Sequence, residues 1–136
     1  MAAHVVVDAG FLVALLSRRD AHHAWAVTAA EQFPPPWFTC ESALSEAFHL
    51  LGVRGAPALR ALLERQAVQP AFVLGDDLDA VLQVMEKYED VPASLADASI
   101  VRMTETLAEP TVLTTDADFR VYRRHGRRTV PCVLPS

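Results

Sequence analysis

The first apolar run of the chain, Val5-Val6-Val7, limits the possible folds more than any other stretch. Three consecutive β-branched residues without a polar partner predict a strand that is buried on both faces, which is typical of the centre of a parallel sheet. The run ends at Asp8. The carboxyl end of such a strand is where open α/β sheets bind ligands, but an Asp before an apolar helical run is also a favoured helix N-cap. One carboxylate does not decide between a metal-dependent enzyme and a helix cap.

The composition is that of an ordinary globular chain, and we expect a single domain over residues 1–136. Because 51% of the residues are hydrophobic and 21% are charged, disordered and fibrous classes are excluded. No apolar run approaches the roughly 18 residues of a membrane span and no signal-peptide pattern opens the chain, so the expected location is the cytoplasm. Cys40 and Cys132 lack metal-binding spacing and are interpreted as small buried hydrophobes.

The charge distribution is more informative than the net charge of −5, which by itself argues against a nucleic-acid partner. Five of the twelve basic residues fall within nine positions, at Arg120, Arg123, Arg124, Arg127 and Arg128. Arginine binds phosphate in a bidentate manner, so a basic patch for a phosphate-bearing ligand is one interpretation. A solvated helix end with favourably placed cations is the other.

Strand and helix patterns alternate along almost the whole chain. After the first strand we predict strands at 37–40, 68–74, 111–115 and 129–134, and helices at 11–16, 21–32, 41–52, 58–65, 76–89 and 95–107. Pro70 favours an edge position for the third strand, and the segment rich in arginine is expected to be a helix or turn as far as Gly126. This alternation predicts an α/β fold with a mainly parallel central sheet of four to five strands flanked by helices.

Acidic residues follow two of these predicted strands. Asp8 and Asp116 should therefore lie at one edge of the sheet, with Asp118 two residues further on. Helices that begin at that edge would supply Asp97 from a first turn and Glu46 from about the second turn. Carboxylates that share a pocket raise one another's pKa unless a cation lies between them. Oxygen ligands alone favour Mg²⁺ or Mn²⁺, which activate water and bind phosphate, so the pattern predicts phosphodiester hydrolysis.

Two of these carboxylates also have purely structural explanations. Ser94 followed three residues later by Asp97 has the form of a capping box at a helix start. Glu46 borders an apolar stripe that includes Ala47 and Phe48, where a glutamate usually extends into water. Both interpretations stay open beside the catalytic one.

Four stretches, taken together and in this order, resemble the PIN domain, and in particular the small ribonucleases that act as VapC-type toxins of bacterial toxin–antitoxin pairs. These stretches are Val-Val-Asp-Ala-Gly-Phe-Leu-Val-Ala-Leu-Leu at 6–16, Thr-Cys-Glu-Ser-Ala-Leu-Ser-Glu-Ala at 39–47, Leu-Ala-Asp-Ala-Ser-Ile-Val at 95–101 and Leu-Thr-Thr-Asp-Ala-Asp-Phe at 113–119. The resemblance covers essentially the whole chain. It implies a flavodoxin-like sheet, a homodimer and an antitoxin partner that blocks the pocket.

The resemblance also implies roles for particular residues. The family's acidic quartet matches Asp8, Glu46, Asp97 and Asp116, with Asp118 as an auxiliary residue. We expect Asp8, Asp97 and Asp116 to hold Mg²⁺ or Mn²⁺ and Glu46 to orient or deprotonate the attacking water. Where the family often has a further acidic residue, this chain has Ser94, which leaves a second metal ion open.

Other residues are expected to assist binding of an RNA substrate. Thr114 and Thr115 are candidates for hydrogen bonds to a ligand carboxylate or a phosphate, and Arg120, Arg123 and Arg124 for contacts with the RNA. Three aromatic side chains would either stack on bases or pack in the core, namely Trp37, Phe119 and Tyr122.

Other functions of α/β domains fit this sequence less well. A haloacid-dehalogenase-like enzyme would need a second Asp where Gly10 stands and a later lysine, whereas Lys87 is the only lysine and lies at a predicted helix end. A receiver domain lacks the same lysine, and no glycine-rich dinucleotide motif follows the first strand. The remaining alternative is a PIN-like module that binds RNA or protein without cleaving it.

Overall fold

The first predicted strand is the central strand of the sheet. The structure, a computed structural model, describes residues 3–88 and 90–136. In it, β1 (His4–Val7) is hydrogen-bonded in parallel to a strand on each side. Val5 and Val7 pack into the core on one face of the sheet and Val6 into the core on the other. The side chains of all three valines are buried, as the apolar run predicts.

The described residues form a parallel sheet of five strands in the order β3-β2-β1-β4-β7, with helices on both faces and a separate two-stranded hairpin, β5-β6. The remaining strands are β2 (Trp37–Thr39), β3 (Val68–Pro70), β4 (Pro110–Leu113), β5 (Arg123–Arg124), β6 (Arg128–Thr129) and β7 (Cys132–Val133). The helices are α1 (Ala9–Leu16), α2 (His23–Gln32), α3 (Glu41–Glu64), α4 (Leu78–Lys87) and α5 (Leu95–Thr106).

The helices divide into two layers. The core on one face combines residues of α1, α2 and α3, including Phe11, Ala26 and Leu59. The core on the other face combines residues of α4 and α5, including Val81 and Ile100. No helix in the described part of the chain has both the length and the hydropathy of a membrane span.

Three local expectations need correction. The helices predicted at 41–52 and 58–65 form one element, α3, which bends at Gly52, whose φ of 67° changes the direction of the chain, and resumes directly after it. Pro57 lies inside this second helical segment, five residues after Gly52, where it cannot donate a backbone hydrogen bond. The helix predicted at 76–89 begins later, because Asp76 lies in a 3₁₀ turn and α4 starts at Leu78, with Asp77 before it.

The third correction concerns the segment rich in arginine. It forms a 3₁₀ turn (Ala117–Arg120) and then the hairpin β5-β6, and β7 is much shorter than the predicted strand at 129–134. Pro70 ends the edge strand β3, in agreement with the prediction that the proline favours an edge. The expected end of α4 near residue 89 falls partly on Glu89, which like Met1 and Ala2 lies outside the described residues.

Candidate functional site

Asp8 lies where β1 ends, at the carboxyl edge of the sheet. Its side chain is only 6% exposed, and it caps α1 by accepting a hydrogen bond from the backbone N–H of Phe11 at 2.8 Å. The structure therefore uses Asp8 as the helix cap that the sequence allows. The pKa of Asp8 is raised to about 7, mainly by burial and to a smaller extent by the charges of Asp97 and Asp116, while the hydrogen bonds from Thr114 and Phe11 oppose the increase.

Thr114 connects Asp8, at the end of β1, to β4, the strand that is paired with β1. Its hydroxyl donates to Oδ2 of Asp8 and accepts a hydrogen bond from the backbone N–H of Asp116 at 2.9 Å. Thr114 is fully buried and directly follows β4, which is paired with β1 so that Val7 lies opposite Leu113. Thr114 thus fixes the end of β4 against Asp8.

Asp97 comes from a different layer, at the N-terminus of α5. It forms the capping box with Ser94: the Asp97 N–H donates to the Ser94 hydroxyl at 3.0 Å, and the Ser94 N–H donates to Oδ2 of Asp97 at 3.2 Å. Partial burial raises the pKa of Asp97, and the charges of Asp116 and Asp118 raise it further, against the lowering effect of Ser94. The capping function and the position in the acidic cluster therefore belong to the same residue.

Asp116 and Asp118 lie at the turn that follows β4. Asp116 caps the 3₁₀ turn, with its Oδ1 accepting a hydrogen bond from the N–H of Asp118 at 2.9 Å. Asp116 is half-buried and Asp118 is exposed. Both raise the pKa of Asp97 through their charge. The structure therefore brings acidic residues from the ends of β1 and β4 and from the start of α5 into one electrostatic cluster.

Glu46 and Thr115 complete the set of predicted residues. Glu46 is exposed on the second turn of α3, which begins directly after β2 at the same edge of the sheet. Thr115 is half-buried, and its hydroxyl lies so close to Gly10 that a Cβ at position 10 would overlap it. The start of α1 can approach the end of β4 at this point because residue 10 has no side chain.

The acidic cluster is not a preformed coordination shell. Among residues 3–88 and 90–136, no three His, Cys, Asp or Glu side chains lie together as a metal-binding group. The pKa of Asp8 nevertheless responds to the charges of Asp97 and Asp116, because such interactions reach further than metal–ligand bonds. The hydrogen bonds described above engage only one carboxylate oxygen each of Asp97 and Asp116. The donor set, made of oxygen atoms alone, fits a hard divalent cation such as Mg²⁺ or Mn²⁺ in its chemistry.

A family model for the PIN domain matches residues 5–124, which include every acidic residue of the cluster. The chain belongs to the PIN-domain family. Among solved structures, this PIN domain is similar to the crystal structure of VapC20 of Mycobacterium tuberculosis, a toxin that cleaves the sarcin–ricin loop. The TM-score is 0.77 at 24% identity, over 86% of this chain and 93% of that chain. No curated protein is significantly similar in sequence. The likeness confirms the expected fold.

The site contains one residue whose role was not predicted from the sequence. Tyr122 was considered only for base stacking or core packing, and it is fully buried, as are Trp37 and Phe119. Its hydroxyl donates to the carbonyl oxygen of Pro92 at 3.3 Å, just before Ser94 and α5. Burial raises the pKa of Tyr122, and the charges of Asp97, Asp116 and Asp118 raise it further. A phenol hydroxyl therefore lies within the field of the acidic cluster of this PIN domain.

Proposed function

We propose that this PIN domain is a ribonuclease that depends on Mg²⁺ or Mn²⁺ and hydrolyses RNA phosphodiester bonds. The observation that carries the proposal is the convergence of Asp8, Asp97 and Asp116, from three separate segments, at the carboxyl edge of the sheet. Burial and the neighbouring charges raise the pKa of Asp8 and of Asp97, which is the arrangement that a divalent cation would stabilise. A purely structural set of helix caps would not require this mutual repulsion.

In the proposed mechanism Asp8, Asp97 and Asp116 hold the cation directly or through water, with Asp118 in support. When bound, the cation lowers the pKa of a coordinated water and stabilises charge on the phosphate. Glu46, exposed at the edge of the site, orients or deprotonates the attacking water. In-line attack by that water leaves a 5′-phosphate and a 3′-hydroxyl.

The threonines and the basic segment assist this site in the proposal. Thr114 keeps Asp8 in place through its hydroxyl, and Thr115, beside Gly10, is available to a phosphate oxygen. The RNA would approach along the basic segment that begins at Arg120, which is exposed in the 3₁₀ turn after Asp118, and continues into the hairpin β5-β6. The positive charge of this segment would offset the repulsion between the RNA and the acidic pocket.

We further propose that the enzyme is the toxin of a toxin–antitoxin pair and that it forms a homodimer. The similarity to VapC20 in fold supports the first part of this proposal. Exposed aliphatic side chains support a protein partner: Val53 is 93% exposed after the bend in α3, and Leu78 and Leu82 lie one turn apart on α4. Sedimentation of the purified protein tests the homodimer, and a single species with the mass of a monomer at micromolar concentration would refute it.

The direct test of the enzymatic proposal is cleavage of RNA by the purified protein. We expect cleavage in Mg²⁺ or Mn²⁺, none in EDTA, and a loss of at least a hundredfold in the Asp97→Asn variant. Asp79→Asn is the matched control, because Asp79 is an exposed aspartate in the first turn of α4, outside the acidic cluster. Binding of RNA without cleavage in any divalent metal would support the non-catalytic module instead. Cleavage that survives EDTA would contradict the metal mechanism.

A further inference from the structure

The arginines of the basic segment fall into two groups with different environments. The guanidinium of Arg123 donates through Nη1 to the carbonyl oxygens of Arg120 at 2.7 Å and of Val121 and Tyr122 at 3.1 Å. The guanidinium of Arg124 donates through Nη2 to the carbonyl oxygen of Thr104 near the end of α5. Both side chains are half-buried: Arg123 fixes the first strand of the hairpin to the turn that precedes it, and Arg124 fixes the hairpin to α5.

The backbone of the hairpin is fixed to α4 and α5 as well. The N–H of Arg123 donates to the hydroxyl of Tyr88 at 2.7 Å, the N–H of His125 donates to Oε2 of Glu105 at 2.5 Å, and Lys87 donates to the carbonyl oxygen of Gly126 at 2.6 Å. A hairpin with only two residues in each strand is marginal without such support. These bonds therefore place the loop between the two strands in a defined position.

The remaining basic side chains of the hairpin point to solvent. The hairpin carries a concave surface that encloses a volume of about 370 Å³, which we call the hairpin tip. It is lined by three exposed residues, His125, Arg127 and Arg128. The described residues contain two ion pairs, and Arg102 is the cation in both. Within those residues, the arginines of the hairpin tip therefore have no carboxylate partner. Because the backbone beneath these cations is already fixed, binding of an anion orders their side chains but does not have to order the loop as well.

We infer that the hairpin tip binds the phosphate backbone of the single-stranded RNA substrate, whereas Arg123 and Arg124 anchor the hairpin to the domain. The inference rests on the proposed function and assigns the contacts with RNA to different arginines from those predicted from the sequence. Glu105, which binds the hairpin, lies on the same helix as Asp97 and about 12 Å further along its axis. An RNA strand that extends from the acidic cluster can therefore reach the tip.

Charge complementarity favours a polyanion over an acidic protein at this position. The chain as a whole has a net charge of −5, and its acidic cluster repels phosphate. A basic surface within reach of the same RNA strand would offset this repulsion for the ligand that the site would cleave. Each phosphate neutralised on a single strand contributes a slope of about −0.7 to the dependence of log K on log salt.

The test measures binding of a fluorescent single-stranded RNA of mixed sequence to the protein in EDTA, by anisotropy over a range of KCl concentrations. For the double variant Arg127→Ala and Arg128→Ala, we expect the salt slope to become shallower by about 1.4 and the affinity to fall about twentyfold at 0.1 M salt. The matched control removes Arg60 and Arg65, two exposed arginines of the other layer. The control variant should change the salt slope much less than the tip variant does, although both variants lose two positive charges.

Two outcomes would overturn the inference. A hairpin-tip variant with unchanged slope and affinity would overturn it, and so would equal losses in the tip variant and the control variant. An Arg124→Ala variant provides a second check, because it should lower the melting temperature by removing a bond to α5, whereas the tip variant should melt like the wild type. Failure of the proposed nuclease activity is a separate result: the wild type would then bind RNA with the expected slope but would not cleave it in metal.

Discussion

Replacement of Asp8 by Asn should make the metal-free protein more stable at neutral and alkaline pH. Asp8 is almost completely buried, and its pKa rises from the ordinary value of 3.8 to about 7 in the folded protein. The folded state therefore keeps a proton on Asp8 at pH values where the unfolded chain has lost it. Asn keeps an oxygen that can accept the N-cap hydrogen bond from Phe11 and has no charge to desolvate.

The sign and size of the effect follow from the two pKa values. The neutral form of Asp8 contributes its full stability below about pH 4, and this contribution is lost as the pH rises towards 7. Because a difference of one pKa unit corresponds to about 1.4 kcal/mol, the free energy of unfolding should fall by about 4 kcal/mol over this range as a result of Asp8 alone. For a chain of 136 residues, that change corresponds to a melting temperature about 14 °C lower.

The assay is urea denaturation of the wild type and the Asp8→Asn variant between pH 4 and pH 8, in EDTA. The difference in unfolding free energy between the two proteins should grow with pH in favour of the variant and become constant above about pH 7.5. Asp79→Asn is the control for the loss of one exposed carboxylate and should follow the wild type. Parallel curves for the wild type and the Asp8→Asn variant would refute the claim that Asp8 is desolvated and crowded by other carboxylates.

Three further substitutions test the support of the acidic cluster. Tyr122→Phe removes the hydroxyl near Asp97 and should lower kcat of RNA cleavage about fivefold with little change in KM, whereas a purely structural role would change only the melting temperature. Thr114→Val removes two buried hydrogen bonds that join Asp8 to the turn after β4, and calorimetry should show a loss of about 2 kcal/mol. Ser94→Ala removes the capping hydrogen bond of α5 and should cost about 1 kcal/mol of unfolding free energy in urea titration, while Ser94→Thr should restore most of it.

The parts of the fold that were predicted from the sequence are those with strong local signals. Three consecutive valines predicted a strand buried on both faces, and Ser94 with Asp97 predicted the capping box that the structure contains. Acidic residues directly after two parallel strands predicted that Asp8 and Asp116 would lie at one edge. In each case a short segment determines its own structure, and the parallel topology then brings the segments together.

The parts that were missed depend on contacts between distant segments. The hairpin β5-β6 is short and polar, without the apolar alternation that indicates a strand. It is held by Lys87 at the end of α4, by Tyr88 directly after α4 and by Glu105 of α5. The position of Tyr122 near Asp97 likewise depends on the packing of the turn after β4 against the start of α5. No local pattern could show either arrangement.

The central claim is that carboxylates from separate segments share one divalent cation. Calorimetric titration of Mn²⁺ into the metal-free protein between pH 6 and pH 8 tests it most directly. Because the pKa of Asp8 is about 7, we expect binding at a single acidic site, with affinity that rises with pH and release of a proton near pH 6.5, and both effects absent in the Asp8→Asn variant. Absence of binding at millimolar Mn²⁺, or binding that is independent of pH and unchanged in the variant, would contradict the account.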